Sequence, residues 1–187
     1  MKTTIYFVRH AKSDFAIKDD KTRPLTDKGR EGAMRVSEFL RDKEIEVLYS
    51  SPYLRTMDTL KPFCEYAKKE MILIEELKER VIGCWVEDFD TFSKSQWLDF
   101  DYKLANGESL NEVQKRNVGA LATILKESKG MNIAIATHGT ALSTIINHYD
   151  QTFTLNGFES IRHKMPLIVK FVFEDDTFKN FNIIDLY

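Results

Sequence analysis

The chain is poor in cysteine, nearly balanced in charge and contains no long apolar run. Cys64 and Cys84 are its two cysteines and do not form a C-x-x-C pair, which argues against a disulfide framework and against a zinc knuckle. A reducing, cytoplasmic compartment is the resulting expectation. Its 27 basic and 29 acidic residues leave a formal net charge of −2, so no basic excess points to nucleic acid, and any bound anion must be held by a local cluster. No apolar stretch approaches bilayer length, and the run at residues 5–8 is too short for the core of a secretory signal, so no membrane association or export is expected. Internal repeats, low-complexity tracts and linkers are also lacking. With 187 residues, 43% of them hydrophobic and 30% charged, the chain suits a single globular domain over residues 1–187.

What is present is concentrated at strand ends. Residues 4–8 alternate and are rich in β-branched and aromatic types, the pattern of a short buried strand, and Arg9-His10 follows immediately. In α/β sheets the site lies beyond the carboxyl ends of the strands. An arginine fork suits phosphoryl oxygens, and a neutral imidazole can attack phosphorus or carry a proton. A lone Arg-His pair is more often a solvated turn, so the remaining segments decide.

Strands and helices alternate along most of the chain. Residues 13–24 form a polar loop, Thr26 caps a helix running to about residue 43, and residues 45–49 form a second strand. Ser50-Ser51-Pro52 is expected to cap and begin a helix reaching about residue 69. A third short strand covers residues 71–74. Residues 76–106, with Trp85, Phe89, Phe92, Trp97 and Phe100 among acidic residues, are expected to form a lid-like excursion with some helix. Ser109 to Glu112 is a capping box opening a helix that Gly130 stops. A fourth strand at residues 131–137 leads into His138-Gly139-Thr140, which opens an apolar helix to about residue 149. Residues 167–173 and 178–184 alternate as a terminal hairpin. This order predicts an α/β fold with a mainly parallel sheet and helices on both faces.

Arg9-His10, Ser51-Pro52 with Arg55 and Thr59, Leu77 with Glu79, Arg80 and Gly83, Gly107 to Leu110, and Thr137-His138-Gly139 occur in one order. With Leu25-Thr26 and Gly29, this series resembles the histidine phosphatase superfamily, the phosphoglycerate mutase-like proteins, across residues 4–142. The resemblance implies a three-layer α/β/α sandwich, with a mainly parallel central sheet and an antiparallel edge, and double displacement through a phosphohistidine. His10 would be the nucleophile, kept neutral at its attacking nitrogen by a hydrogen bond from the other nitrogen to a backbone carbonyl. Arg9, Arg55 and His138 would clamp the phosphoryl oxygens, as the charge distribution of a transferring phosphoryl group favours. The amides of Gly139 and Thr140 would add the anion site of a helix N-terminus.

Glu79 is the expected general acid, returning as base toward water, since a carboxyl beside a phosphate dianion holds its proton. Ser13, Thr22 and Arg23 are candidate substrate contacts, although solvent is the default for such loop residues. Glu108 is a candidate support for the site, and His148 and His163 match no motif. Neither metal nor cofactor is required. The expected partner is a small phosphorylated metabolite, and the oligomeric state stays open, a homodimer included.

Several positions depart from the family pattern. Ala11 and Lys12 replace its usual glycine and acidic or amide residue, Ala16 replaces the mutase asparagine, and Ile82 its tyrosine. No basic pair for a substrate carboxylate is found in residues 87–104. A metal-independent phosphomonoester hydrolase is therefore placed ahead of a cofactor-dependent phosphoglycerate mutase, with a non-catalytic phospho-ligand sensor as the third reading.

Overall fold

The computed structural model describes residues 1–186. Among the described residues, six strands form one sheet in the order β3-β2-β4-β1-β5-β6. They are β1 (Lys2–Arg9), β2 (Val47–Ser50), β3 (Met71–Leu73), β4 (Asn132–Thr137), β5 (Leu167–Glu174) and β6 (Thr177–Ile184). The first four are mutually parallel, whereas β5 and β6 run antiparallel at one edge. The helices are α1 (Asp27–Leu40), α2 (Leu54–Ala67), α3 (Phe89–Leu98), α4 (Leu110–Glu127), α5 (Gly139–Tyr149) and α6 (Leu155–Ile161).

Period-two alternation sorts β1 between two cores. Ile5 and Phe7 pack with Leu121, Ile124, Leu142 and Ile145 of α4 and α5, whereas Tyr6 and Val8 pack with Val36, Leu40, Leu60 and Phe63 of α1 and α2. The result is the α/β/α sandwich expected from the sequence. Thr26 caps α1 by accepting the Gly29 amide at 3.0 Å, and both reciprocal bonds of the Ser109–Glu112 capping box are present at α4.

One local expectation fails, and one helix goes unforeseen. The helix α2 begins at Leu54, not at Ser51-Pro52. The Ser51 amide donates to the Ala136 carbonyl at 3.0 Å and its hydroxyl is drawn to His138, so Ser51 is held outside the helix. Helix α6 is absent from the sequence reading because its seven residues offer no side-chain cap and too short a pattern to stand out. Its tertiary contacts hold it, with Phe158 and Ile161 in the core and Phe158 stacked on Trp97 at 5.5 Å between ring centroids.

Candidate active site

Strand register places the two site histidines together. Arg9 of β1 pairs with Thr137 of β4, so the next residues, His10 and His138, leave adjacent parallel strands side by side with ring centroids 5.3 Å apart. Ser50 of β2 pairs with Ala136, which brings the following Ser51 to the same edge. Its hydroxyl lies 2.8 Å from His138 Nε2. The Tyr53 ring packs edge-on against His138, and both side chains are buried.

His10 Nδ1 lies 2.7 Å from the Ala11 carbonyl oxygen, which accepts only if Nδ1 carries the hydrogen. The lone pair therefore sits on Nε2. The loop making this bond is itself fixed: the Ala11 amide donates to Thr59 Oγ1 at 2.9 Å, and Thr59 Oγ1 donates to the Arg55 carbonyl at 2.6 Å. Ala11 buries its methyl with Leu25 and Ala33, so the usual glycine is replaced by a packed side chain. Lys12 is exposed and lines a surface cleft with Lys28, His163 and Lys164.

Burial, reinforced by the Arg55 and Arg9 cations, pushes the His10 pKa well below its ordinary value, and burial with Arg55 and His10 does the same to His138. Both rings are neutral at physiological pH. The unfolded chain titrates near 6.5, so their contribution to stability is complete above that pH and is lost as pH falls toward the folded values. Each histidine should cost about 1.4 kcal/mol per pH unit in that window. Urea midpoints measured from about pH 7.5 down to about pH 5 should fall steadily below about 6.5, and a flat profile would contradict this assignment.

Three arginines act on His10. Arg9 is buried, and burial lowers its pKa to about 10 against the opposing pull of Glu79, which leaves it cationic. Its Nη1 donates to the Ile161 carbonyl at 2.7 Å and the Lys164 carbonyl at 3.2 Å, at the C-terminus of α6, and its Nε is buried without a partner. Gly139 lies against this guanidinium: a Cβ there would stand 2.9 Å from Nη2 and 3.0 Å from Cζ. Gly139→Ala should therefore displace Arg9 and lower kcat/KM by about 10²-fold, the scale of a 1 Å misplacement at a reacting centre. Unchanged kcat/KM would show that the position of Arg9 does not matter to the reaction.

Arg55 is 2% exposed and donates from Nη1 to the Asp20 carbonyl, while Asp20 Oδ1 lies 3.2 Å from both Arg55 Nη1 and Arg23 Nη1. Arg23, for which solvent is the sequence default, is instead buried, with its Nε donating to the Ile17 carbonyl at 2.8 Å. Ser13 is buried with an unpartnered Oγ. Thr22 is exposed and hydrogen-bonds to Asp19, outside the buried cluster. Sequence reasoning missed Asp20, because a carboxylate in a polar loop shows no sign of the two arginines it will join.

Glu79 emerges from a short 3-10 turn at Glu75–Leu77 and lies at the N-terminus of α5. Its Oε2 accepts the Thr140 amide at 3.0 Å, and its Oε1 accepts the Ala141 amide at 3.0 Å and the Arg80 amide at 2.8 Å. This corrects the expectation that Thr140 offers its amide to an external anion: a carboxylate of the chain already takes it. The amide of Gly139 is not engaged by Glu79. Glu108 accepts the Val81 amide at 2.8 Å and is bound by Arg116, so it supports the segment that carries Glu79. His148 and His163 are exposed and lie outside the cluster. Among the described residues, no three His, Cys, Asp or Glu side chains are grouped to hold a metal ion.

This is an α/β protein in which two neutral histidines stand side by side at the ends of parallel strands, among buried arginines. The chain belongs to the histidine phosphatase superfamily (branch 1), whose sequence model matches residues 5–183. The probable phosphoglycerate mutase GpmB of Enterobacter is 28% identical over 156 residues, covering 76% of this chain and 73% of that protein. YhfR of Bacillus stearothermophilus superposes with a TM-score of 0.78 at 25% identity, covering 95% of this chain and 94% of that one. The phosphoserine phosphatase of Entamoeba histolytica, in complex with 3-phosphoglyceric acid, shares the fold at a TM-score of 0.78 and 22% identity, with 96% of each chain covered. No helix among the described residues is long and apolar enough to cross a membrane.

Proposed function

We propose that the protein is a metal-independent phosphomonoester hydrolase that works through a phosphohistidine on His10. The observation that carries this reading is the 2.7 Å bond from His10 Nδ1 to the Ala11 carbonyl, which leaves a neutral Nε2 with its lone pair at the arginine-lined edge of the sheet. Nε2 attacks phosphorus, the ester P–O bond breaks, and the leaving oxygen takes a proton from Glu79. Water then attacks the same phosphorus, the P–N bond breaks, and the water proton returns to Glu79. Arg9, Arg55 and His138 hold the phosphoryl oxygens, and the Gly139 amide adds a donor at the start of α5.

Hydrolysis is favoured over mutase chemistry by the residues that would grip a substrate carboxylate. Between positions 85 and 104 the basic residues are Lys94 and Lys103, and Lys103 is paired with Glu112 at 2.6 Å. The names of the GpmB relatives favour the second reading, a phosphoglycerate mutase. Small phosphorylated metabolites are the proposed substrates, and O-phosphoserine and the phosphoglycerates belong at the head of a test panel because fold relatives act on or bind them. The experiment measures phosphate release across that panel in chelator, together with phosphoglycerate interconversion after priming by a bisphosphorylated glycerate. Release without interconversion supports the hydrolase; interconversion outpacing release replaces it with the mutase, and binding without turnover leaves a phospho-ligand sensor.

A further inference from the structure

Glu79 sits on a strap, residues 78–88, that follows the 3-10 turn and contains neither helix nor strand. Such a strap has no backbone ladder of its own, yet a proton donor must hold its place to within a fraction of an ångström. Arg116, on α4, supplies what the ladder would have supplied. Its Nη1 donates to the carbonyls of Glu76 at 2.6 Å and Lys78 at 2.8 Å, and its Nη2 donates to the carbonyl of Glu79 at 3.1 Å. The remaining two donors form a fork on Glu108, Nε to Oε1 at 2.7 Å and Nη2 to Oε2 at 2.9 Å. All five N–H donors of the guanidinium are thereby used.

Glu108 closes the bracket from the other side. Its Oε2 accepts the Val81 amide at 2.8 Å, and its own amide donates to the Val81 carbonyl at 2.7 Å. Gly83 lets the two segments touch: its φ is +92°, and a Cβ there would stand 2.4 Å from the Ala105 carbonyl oxygen. The strap is thus tied on both sides of Glu79 to a single arginine–carboxylate pair, while the Glu79 carboxylate itself rests on α5. Lysine cannot substitute, since an ammonium has three donors and no planar fork.

We propose that Arg116 is the positioning residue for the Glu79 carboxyl, holding the backbone of residues 76–79 so that proton delivery to the leaving oxygen is in register with the phosphoryl pocket. This rests on the reading of Glu79 as general acid. Loss of a proton donor harms esters with basic leaving groups and spares those whose leaving group departs unaided, whereas general loosening of the fold harms all esters alike.

The test is kcat/KM, which reports the step that breaks the P–O bond, for 2,4-dinitrophenyl, 4-nitrophenyl and phenyl phosphate. Arg116→Gln should lose about 10²-fold on phenyl phosphate and remain near wild type on 2,4-dinitrophenyl phosphate. Glu79→Gln should steepen the same leaving-group dependence, and adding Arg116→Gln to it should cost nothing further. Arg116→Lys should recover little of the loss. If Glu79→Gln steepens the dependence while Arg116→Gln lowers all three substrates equally, or if the double variant loses the product of the two single effects, the positioning role is overturned and Glu79 keeps its own. If Glu79→Gln lowers all three equally, the general-acid reading falls and this inference falls with it. Should Arg116→Gln fail to fold, Glu108→Gln, which loosens one arm of the bracket, decides on the same criterion.

Discussion

His10→Ala is expected to lower kcat for phosphomonoester hydrolysis by on the order of 10⁴-fold and to abolish the acid-labile phosphate trapped on the protein during turnover. The expectation follows from the single tautomer that the loop allows. With Nδ1 donating to the Ala11 carbonyl, Nε2 is the nitrogen available for attack, and burial among arginines keeps it unprotonated. His138 is held differently. Its Nε2 is committed to the Ser51 hydroxyl, and its Nδ1 is buried without a partner. Quenching the reaction with a labelled substrate, followed by acid and base treatment of the protein, checks the result. Label of equal amount on His10→Ala would move the nucleophile elsewhere and end the phosphohistidine reading at this residue.

Arg55→Ala should cost about 10³-fold in kcat/KM, the lower part of the range for an arginine that stabilises a transferring phosphoryl group. It should also move the acidic limb of the pH profile. Neutral His10 is the reactive form, so the rate falls as pH drops through its pKa, and the Arg55 cation is one cause that holds that pKa down. Removing the cation raises the pKa, and the acidic limb shifts upward toward 6.5. Arg55→Lys separates the two effects, because it restores the charge and the limb's position without restoring the planar fork. A fall in kcat/KM without movement of the limb in Arg55→Ala would place Arg55 away from His10. Asp20 sharpens the argument, since its carboxylate bridges Arg55 and Arg23 and would be left with Arg23 as its single guanidinium partner.

Much of the fold was legible because it rests on local signals. The apolar, β-branched run of β1, the Thr26 cap and the Ser109–Glu112 box each speak for one element, and each is present in the structure. Helix α6 gave no such signal, although its carbonyl at Ile161 holds Arg9. Ser51 misled for a related reason. A serine before a proline suggests a helix start, yet here the hydroxyl turns to His138, a partner far away in sequence. The same distance hides Asp20 and Arg116, whose hydrogen bonds reach across 35 and up to 40 positions.

By itself the sequence determined the strand order and all the helices but α6, the apolar faces that build a two-sided sheet, and the small set of histidines, arginines and glutamate on which chemistry could rest. These depend on periodicity, capping and residue type, which are written within a few neighbouring positions. Only the tertiary structure decided that His10 and His138 face each other, that Glu79 occupies the α5 amides, that Asp20 bridges two arginines and that Arg116 ties down the strap. Those outcomes depend on strand register and on which buried donors find which acceptors, and a hydrogen bond between distant segments leaves no mark on either segment alone.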